Sequence, residues 1–396
     1  MNIVFATDGI YPFVLGGMQK HAAYIIKHLA GSEHRVDVII PDNGVETAEE
    51  AASRFWENEV PNNIRFHVIP YPKLPRFPGH YVVASYLYSR RITNYFSHKI
   101  STADILFGKG YTMWHWLARP SRPQIPVIVQ LHGLEMFQPA YAFREMLDKM
   151  LMRIPAVPII RLTDYIFSYG GGVKEILLKQ GKTEDSIFEQ YGAVDDFWLY
   201  PVPQKKENGL VRKFLFVARN EYRKGYHLLH ETLQELVTDN ETFEIDIVGE
   251  LPDSLQVKDP RIHYHGNLSA EALKTLKERC EVLLLPSLSE GFPTIIIESM
   301  ARGLCVAATE VGAVPKVIDK KTGWLLPPGD SKSLKDSMKA IIRTPSGELH
   351  QKQMACYQKV LHEFQWESTV NQLVSHLKTA AHDYRERITR QQSQKH

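Results

Sequence analysis

The chain has 396 residues, of which 44% are hydrophobic, and its formal net charge is +2. This length exceeds one ordinary domain and predicts two, while the balanced charge gives no indication of a nucleic-acid partner or an acidic substrate. The three cysteines, Cys280, Cys305 and Cys356, lack the spacing of a disulfide framework or a metal site. We therefore expect small buried thiols in a reducing compartment.

The N-terminal sequence MNIVFATDGIYPF is a short apolar strand broken by Asp8 and Gly9, which is unlike a signal peptide. No apolar run approaches the ~20 residues that a membrane-spanning helix requires. These features predict a cytoplasmic protein that is at most peripheral, at the inner face of a membrane.

The first half of the chain alternates apolar strands with amphipathic helices. Residues 3–6 form the first predicted strand, and a helix follows from about Met18 to Ala30. Further strands are predicted at Val36–Ile40, Ile64–Ile69, Asp104–Phe107, Val127–Leu131 and Tyr165–Ser168. This alternation is typical of an α/β domain with a parallel sheet that is covered on both faces.

A Pro-rich and polar stretch after Phe197 separates this half from a second α/β pattern. Strands are predicted there at Phe214–Ala218, Phe243–Val248, Arg261–Tyr264, Val282–Leu285 and Cys305–Ala308. We therefore predict a first domain over residues 1–203 and a second over residues 204–363. The remaining residues, 364–396, form a terminal helix and a basic tail. In open α/β sheets ligands bind beyond the carboxyl ends of the strands, and with two such sheets we expect a site in the cleft between the domains.

The stretch from Leu283 to Gly303 reads as an apolar strand, a turn rich in Ser, Gly and Pro, and a short helix. Glu290 in the turn and Glu298 on the helix combine with helix N-terminal N–H groups, which suits a ligand carrying both phosphate and sugar hydroxyls. The two carboxylates either bind hydroxyls or act as a general acid/base pair. For Glu298 an ion pair with Arg302, four residues on, is a further alternative.

Two cations, Arg219 and Lys224, flank a predicted strand-to-helix turn that ends at Gly225. A guanidinium fork and an ammonium beside a helix N-terminus match a diphosphate, whereas the alternative is an ordinary charged loop. We expect the adjacent Arg223 to face solvent.

Two positions in the first half are candidates for the same chemistry. Gly16-Gly17 precedes the first helix and is either a phosphate- or sugar-approaching loop or a flexible turn. His132 ends a strand and suits a sugar hydroxyl or the reacting centre, although with 17 histidines in the chain an ordinary core or surface histidine is the alternative. Glu135 either holds an acceptor hydroxyl or begins the next helix. We predict no metal site, because Asp and His do not cluster at ligand spacing.

With these motifs the chain resembles glycosyltransferase family 4, the group 1 glycosyltransferases, nearly from end to end. The matching segments are Gly16-Gly17, His132–Glu135, Tyr191–Asp195 with Phe197, Arg219–Gly225, Glu290–Glu298, Gly312–Pro315, Thr322-Gly323, Pro328–Asp330 and Phe364–Trp366. The sequence departs from the family at Ala218, Gly192-Ala193, Ala313 and Lys316. None of these departures removes a predicted catalytic group, but Lys316 leaves the contacts of its loop open.

The resemblance implies the GT-B fold, two facing Rossmann-like domains with parallel sheets and a last helix that crosses back onto the first domain. It also implies retaining, metal-independent transfer of a sugar from a nucleotide-diphosphate donor to an acceptor hydroxyl, with no cofactor. Catalysis would then fall to His132, Arg219, Lys224 and Glu290. The donor would be bound by Gly16, Gly17, Arg219, Lys224, Glu290, Gly291, Phe292, Pro293, Thr294 and Glu298, and the acceptor by His132 and Glu135.

Under this resemblance Glu298 would hold the ribose and Glu290 the donor sugar, while Arg219 and Lys224 would neutralise the leaving diphosphate. The acceptor would be a glycan or a lipid-linked molecule in polysaccharide, glycolipid or glycan assembly. Two other functions remain open on the same architecture: a nucleotide-sugar epimerase or sugar-phosphate synthase, and a non-catalytic sugar-nucleotide-binding subunit of a glycosylation complex.

Two segments bear on a membrane or lipid-linked acceptor. Tyr81–Lys99 is rich in Tyr and contains Arg90 and Arg91, and Met146–Arg161 is apolar with scattered cations. Each is either an amphipathic surface for an anionic membrane or an ordinary core-facing helix. The sequence does not indicate the nucleobase, the sugar or the oligomeric state.

Overall fold

The structure is a computed structural model, and it describes residues 1–56, 59–99, 102–200 and 211–393. Most of the Pro-rich and polar stretch predicted between the domains, residues 201–210, lies outside the described residues, as do the last three residues of the basic tail.

The described chain contains two parallel sheets and their covering helices. The strands are β1 (Asn2–Ala6), β2 (Arg35–Pro41), β3 (Ile64–Ile69), β4 (Ile105–Lys109), β5 (Val127–Gln130), β6 (Tyr165–Ser168), β7 (Ile187–Glu189), β8 (Arg212–Val217), β9 (Phe243–Val248), β10 (Ile262–Tyr264), β11 (Val282–Leu285), β12 (Cys305–Thr309) and β13 (Gly323–Leu326). The helices are α1 (Gly17–Leu29), α2 (Ala48–Phe55), α3 (His80–Lys99), α4 (Trp114–Leu117), α5 (Phe143–Leu162), α6 (Gly171–Lys179), α7 (Asp196–Leu199), α8 (Tyr226–Thr238), α9 (Ala270–Arg279), α10 (Thr294–Met300), α11 (Val314–Val317), α12 (Ser331–Arg343), α13 (Ser346–Glu363) and α14 (Trp366–Ser393).

The first unit comprises Met1–Tyr169, Val173–Gln190 and Trp366–His396. Its seven strands are parallel in the order β3-β2-β1-β4-β5-β6-β7, with Ile3 of β1 in register with Val36 on one side and Ile105 on the other. Strand β1 therefore lies where the chain reverses its direction of winding, the position at which open α/β sheets bind ligands.

The second unit comprises Gly170–Gly172 and Tyr191–Gln365, and its six parallel strands run β10-β9-β8-β11-β12-β13. Successive residues of β11 enter opposite cores: Leu283 and Leu285 pack in one buried cluster, Val282 and Leu284 in the other. A strand that is buried on both faces explains why this segment is a continuous apolar run. The predicted α/β fold class, with two Rossmann-like parallel sheets, is thus confirmed.

The boundary between the units differs from the predicted one between residues 203 and 204. The main segment of the second unit already begins at Tyr191, because Val194 N–H donates to the Phe364 carbonyl at 2.8 Å and Leu199 is buried in the second unit's core. The sequence placed the boundary at the polar stretch, whereas the packing of the preceding apolar residues decides it.

The C-terminal helix α14 belongs to the first unit, as the predicted crossing-back requires. Phe364 is still buried in the second unit's core, while Trp366, the first residue of α14, stacks on Tyr24 of α1 with ring centroids 4.7 Å apart. The chain thus passes from one unit to the other at residues 365–366 rather than at the predicted residue 364.

No helix in the described part of the chain is both long enough and apolar enough to span a membrane.

Candidate active site

The carboxyl edge of the second sheet brings together the predicted donor residues of the second half of the chain. Strands β8 and β11 are neighbours, and β11 also pairs with β12. The turn Tyr222–Lys224 follows β8, and the loop from Pro286 to Pro293 joins β11 to α10. The strand order of this sheet reverses between β8 and β11. The predicted motifs therefore lie where open α/β sheets bind ligands.

Glu290 is the centre of this group. Its side chain is buried, and its Oε1 accepts hydrogen bonds from Lys224 Nζ and from Ser287 Oγ, each at 2.7 Å. Its Oε2 lies 3.9 Å from a guanidinium nitrogen of Arg223. A buried carboxylate needs such partners, and here two of them are cations that a diphosphate also attracts.

The three cations of this turn have different environments. The Arg219 side chain is 78% exposed and pairs with Glu221, whereas the side chains of Lys224 and Arg223 are 17% and 18% exposed. Arg223 also donates to the Ser289 carbonyl at 3.4 Å. The expectation that Arg223 faces solvent was therefore wrong: Arg223 and Lys224 accompany Glu290, and Arg219 is the exposed member.

Gly225 allows this turn to lie against the neighbouring loop. It has a φ of 73°, in the left-handed region that favours glycine, and a Cβ at this position would collide with the Pro286 carbonyl oxygen. The close approach lets Leu288 N–H donate to the Arg223 carbonyl at 2.7 Å. Gly225 thus joins the cationic turn to the loop that carries Glu290.

We expect Gly225→Ala to destabilise the protein by about 2–3 kcal/mol, since it adds left-handed strain and a contact with rigid backbone. Differential scanning calorimetry would measure this as a lowered melting temperature. Gly347→Ala is the matched control, because a Cβ on this helical glycine of α13 meets nothing within 4 Å. An unchanged melting temperature for Gly225→Ala would show that the turn can adjust without strain.

Glu298 lies on α10 and pairs with a lysine, whereas the sequence offered an ion pair with Arg302 as an alternative to ligand binding. Its Oε2 is 3.3 Å from Lys277 Nζ of α9, while Arg302 pairs with Glu278. Lys277 is fully buried beneath Trp198, with its Nζ 4.0 Å from the ring centroid, and burial lowers its pKa to about 8. The Glu298 side chain keeps 23% exposure, so this carboxylate can still meet a ligand.

The residues between Glu290 and α10 form a compact corner. Gly291 accepts a hydrogen bond at its carbonyl from Ala313 N–H at 2.9 Å. Phe292 stacks near Tyr191, and a Cβ on Gly192 would meet the Phe292 ring at 2.8 Å. Pro293 is buried, and Thr294 is exposed as the first residue of α10. The departures from the family at Gly192 and Ala313 are accommodated here, since both small residues lie against this loop.

A cavity of about 810 Å³ opens beside Arg219 in the second unit. Arg219 and Asn220 line it after β8, Gly249 and Glu250 after β9, and Gly266 and Asn267 after β10. Asn267 donates to Glu250 across the cavity wall at 2.8 Å. Exposed Arg219 therefore contacts a cavity large enough for part of a nucleotide-sized ligand.

In the first unit, Gly16 and Gly17 lie at the N-terminus of α1, as predicted, and both are exposed. His132 follows β5 in a left-handed turn with a φ of 59°. Its Nδ1 lies 2.9 Å from the hydroxyl oxygen of Tyr169, the residue after β6. Burial and the neighbouring Lys109 hold the pKa of His132 well below its ordinary value, so the imidazole is neutral at pH 7.

The sequence reading missed the residues that surround His132. Lys109, the last residue of β4, is 1% exposed, and its Nζ lies 2.8 Å from His21 Nδ1 of α1. The His21 and His132 rings meet edge to face with centroids 6.1 Å apart. Asp8, which follows β1, acts electrostatically on Lys109, and burial lowers the pKa of Lys109 to about 7.

These polar residues define one cluster, which we call the first-unit cluster: Asp8, His21, Lys109, His132 and Tyr169. Four of the five lie at or just beyond the carboxyl ends of neighbouring strands β1, β4, β5 and β6. The sequence feature that selected His132, a charged or titratable residue at the end of a buried strand, is shared by Asp8 and Lys109 and could have identified them too. Glu135, the other predicted acceptor residue, is exposed in the turn Glu135–Phe137 and outside this cluster.

Among the described residues, no group of three or more His, Cys, Asp or Glu side chains is arranged to hold a metal ion.

Comparison with known proteins agrees with this architecture. The sequence profile of Glycosyltransferase Family 4 matches residues 15–196, and that of Glycosyl transferases group 1 matches residues 211–344. The sucrose-phosphate synthase of Thermosynechococcus elongatus superimposes with a TM-score of 0.72 at 17% identity, over 96% of this chain and 98% of that one. Anabaena HepE, solved in complex with UDP, gives 0.66 at 15% identity, over 96% of this chain and 100% of that one.

These likenesses and the two parallel-sheet units define a protein of the GT-B fold. The chain belongs to glycosyltransferase family 4, the group 1 glycosyltransferases. A curated relative is the glycosyltransferase WcaL of Salmonella typhimurium, provisionally assigned to colanic acid biosynthesis, which is 27% identical over 190 residues. That alignment covers 44% of this chain and 47% of WcaL, so the similarity spans about half the length of the curated relative.

Proposed function

We propose that this protein is a retaining glycosyltransferase that moves a sugar from a nucleotide-diphosphate donor to an acceptor hydroxyl in polysaccharide or glycolipid assembly. The observation that carries the proposal is the Lys224–Glu290–Ser287 network, with Arg223 beside it, at the winding-reversal point of the second sheet. It combines cations for a diphosphate with a carboxylate for sugar hydroxyls within one hydrogen-bonded group.

In this proposal the diphosphate draws the Lys224 ammonium away from Glu290 as the donor binds. Glu290 is then free to accept hydrogen bonds from hydroxyls of the transferred sugar, and Glu298 from the ribose. Negative charge develops on the departing diphosphate, and Lys224 and Arg223 stabilise it. Exposed Arg219 meets the donor from the wall of the neighbouring cavity.

The acceptor is assigned to the first unit. The neutral imidazole of His132, held by Tyr169, orients an acceptor hydroxyl. The proton passes to the leaving phosphate on the same face of the sugar, so that no protein nucleophile and no metal ion is required. HepE was solved with UDP, which supports a nucleoside diphosphate as the leaving group here.

A donor panel tests this function. Isothermal titration calorimetry with UDP, GDP and ADP and with their sugars would identify the nucleotide, and released nucleoside diphosphate would report turnover with candidate acceptors. We expect transfer with retention at the anomeric carbon, read by NMR, and unchanged activity with EDTA. A new sugar formed from the donor alone would indicate an epimerase, and a phosphorylated acceptor a sugar-phosphate synthase. Tight donor binding without turnover across the acceptors would indicate a binding subunit.

A further inference from the structure

Helix α5 is apolar on two opposite sides. One side packs into the core of the first unit through Ala156, Ile159 and Ile160, which are fully buried. The other side is exposed over most of the helix: Phe143 by 73%, Met150 by 54% and Ile154 by 52%, together with Met146 and Leu147. At about 100° per residue these five side chains form a stripe about 100° wide. A surface helix of a soluble protein ordinarily carries polar residues there.

The charges on the exposed side of α5 are all positive. Its exposed charged residues are Arg144, Arg153 and Arg161, and among the described residues of this helix no exposed side chain is acidic. Glu145 is partly buried and pairs with Lys149 at 2.7 Å. We call the five apolar residues and three arginines the α5 surface. Its composition, an apolar stripe flanked by arginines, is that of helices which lie in a membrane interface.

The neighbouring segment extends the same charge pattern. Residues 71–99 contain no Asp or Glu, and Lys73, Arg76 and Phe77 in their first part are exposed. The segment is fastened to α5, since the Tyr81 hydroxyl donates to the Asp148 carbonyl at 3.1 Å. Cationic and apolar side chains of residues 71–77 thus continue the charge pattern of α5, without an acidic residue in this segment.

We propose that the α5 surface docks on an anionic phospholipid bilayer, with α5 lying parallel to the membrane plane. The apolar stripe enters the boundary between headgroups and acyl chains, and the arginines pair with lipid phosphates. A guanidinium suits this position because its planar fork binds phosphate oxygens in pairs.

A second copy of the chain fits this surface less well. A two-fold interface centred on the stripe would place the arginines of both copies close together, and the helix offers no exposed acid to pair with them. Anionic lipid supplies the complementary charge that a second copy lacks.

The docked helix would stand beside the candidate acceptor residues. Helix α5 begins after β5, His132 and the turn Glu135–Phe137, at the same edge of the sheet as the first-unit cluster. A lipid-linked acceptor would therefore reach this edge from the membrane. That consequence rests on the proposed function, whereas the docking itself does not.

Vesicle binding by the full chain tests the inference without any activity measurement. We expect co-sedimentation with vesicles of phosphatidylcholine and phosphatidylglycerol, much weaker binding to phosphatidylcholine alone, and a loss of binding at high salt. The variant Met150→Glu/Ile154→Glu should bind about tenfold more weakly or worse, because it places two carboxylates in the stripe. Met354→Glu is the matched control, since Met354 is 45% exposed on α13 of the second unit; it should bind as the wild type does.

A second measurement tests the proposal even if the double variant misfolds. Met150→Cys carrying an environment-sensitive fluorophore should shift to the blue with anionic vesicles, and Met354→Cys should not; the three native cysteines are buried. Equal vesicle binding by the wild type and a folded Met150→Glu/Ile154→Glu would overturn the proposal, as would no binding at all. A dimer that dissociates in this variant, without lipid binding, would assign the α5 surface to self-association instead.

Discussion

Lys224→Met and Glu290→Gln should each lower kcat for sugar transfer by about 100- to 1,000-fold, the range for removal of one preorganised charge-stabilising group. The Lys224–Glu290 contact of 2.7 Å lies in a group that is largely shielded from water, where charges interact more strongly than at the surface. The two variants should differ in kind. Loss of Lys224 removes a positive charge that stabilises the leaving diphosphate, whereas loss of Glu290 removes a contact with the transferred sugar. Binding of the free nucleoside diphosphate should therefore weaken mainly in Lys224→Met.

Stability has to be measured alongside turnover, since Lys224→Met leaves the buried Glu290 with fewer partners. The double variant Lys224→Met/Glu290→Gln removes both charges and should recover part of any stability lost by the single variant. Arg343→Gln is the control for charge alone, because Arg343 is 64% exposed at the end of α12, outside the candidate site, and exposed pairs contribute little; it should leave turnover unchanged. Near-normal transfer by both Lys224→Met and Glu290→Gln would refute the site assignment.

Lys109→Met should be more stable than the wild type by up to about 5 kcal/mol below pH 7, and by little near pH 10. Burial lowers the pKa of Lys109 to about 7 from an ordinary value of 10.5. Between these two values the unfolded chain holds a proton that the native state has released, so the free energy of unfolding rises with pH. Below about pH 7 both states are protonated, and the native state bears the whole penalty, about 1.4 kcal/mol for each pKa unit.

Melting temperatures of the wild type and Lys109→Met from pH 6 to pH 10 would measure this difference. Lys73→Met, at an exposed lysine, should show no such dependence on pH. Proteins retain destabilising buried groups where function needs them, so Lys109→Met should also slow acceptor-dependent turnover while donor binding to the second unit stays unchanged. A stability difference that does not vary with pH would show that Lys109 is not held with a lowered pKa.

Much of the architecture could be read from local patterns. Continuous apolar runs such as Val282–Leu285 are required by strands buried on both faces, and they marked both parallel sheets. The order of strand, loop and helix then put Lys224, Glu290 and His132 at the carboxyl edges of their sheets. Chain order and residue type are sufficient for this, because parallel strands connected by helices share one edge.

The pairing of side chains could not be read in the same way. The helical spacing offered Arg302 as an alternative partner for Glu298, but Glu298 pairs with Lys277 on α9, which is 21 residues away in the chain. The turn that carries Arg219, Arg223 and Lys224 gave no indication of which cation is shielded; the close approach of Gly225 to Pro286 decides it by turning Arg223 and Lys224 toward Glu290.

The sequence by itself thus determined the family, the two parallel sheets and the predicted donor motif around Glu290. Each depends on residues that are close in the chain or repeat with a regular period. Only the tertiary structure decided that Lys109 and His21 join His132, that the main segment of the second unit begins at Tyr191, and that one apolar side of α5 remains exposed. These features arise from contacts between residues distant in the chain, or from which of two apolar sides is covered, and neither is encoded in local periodicity.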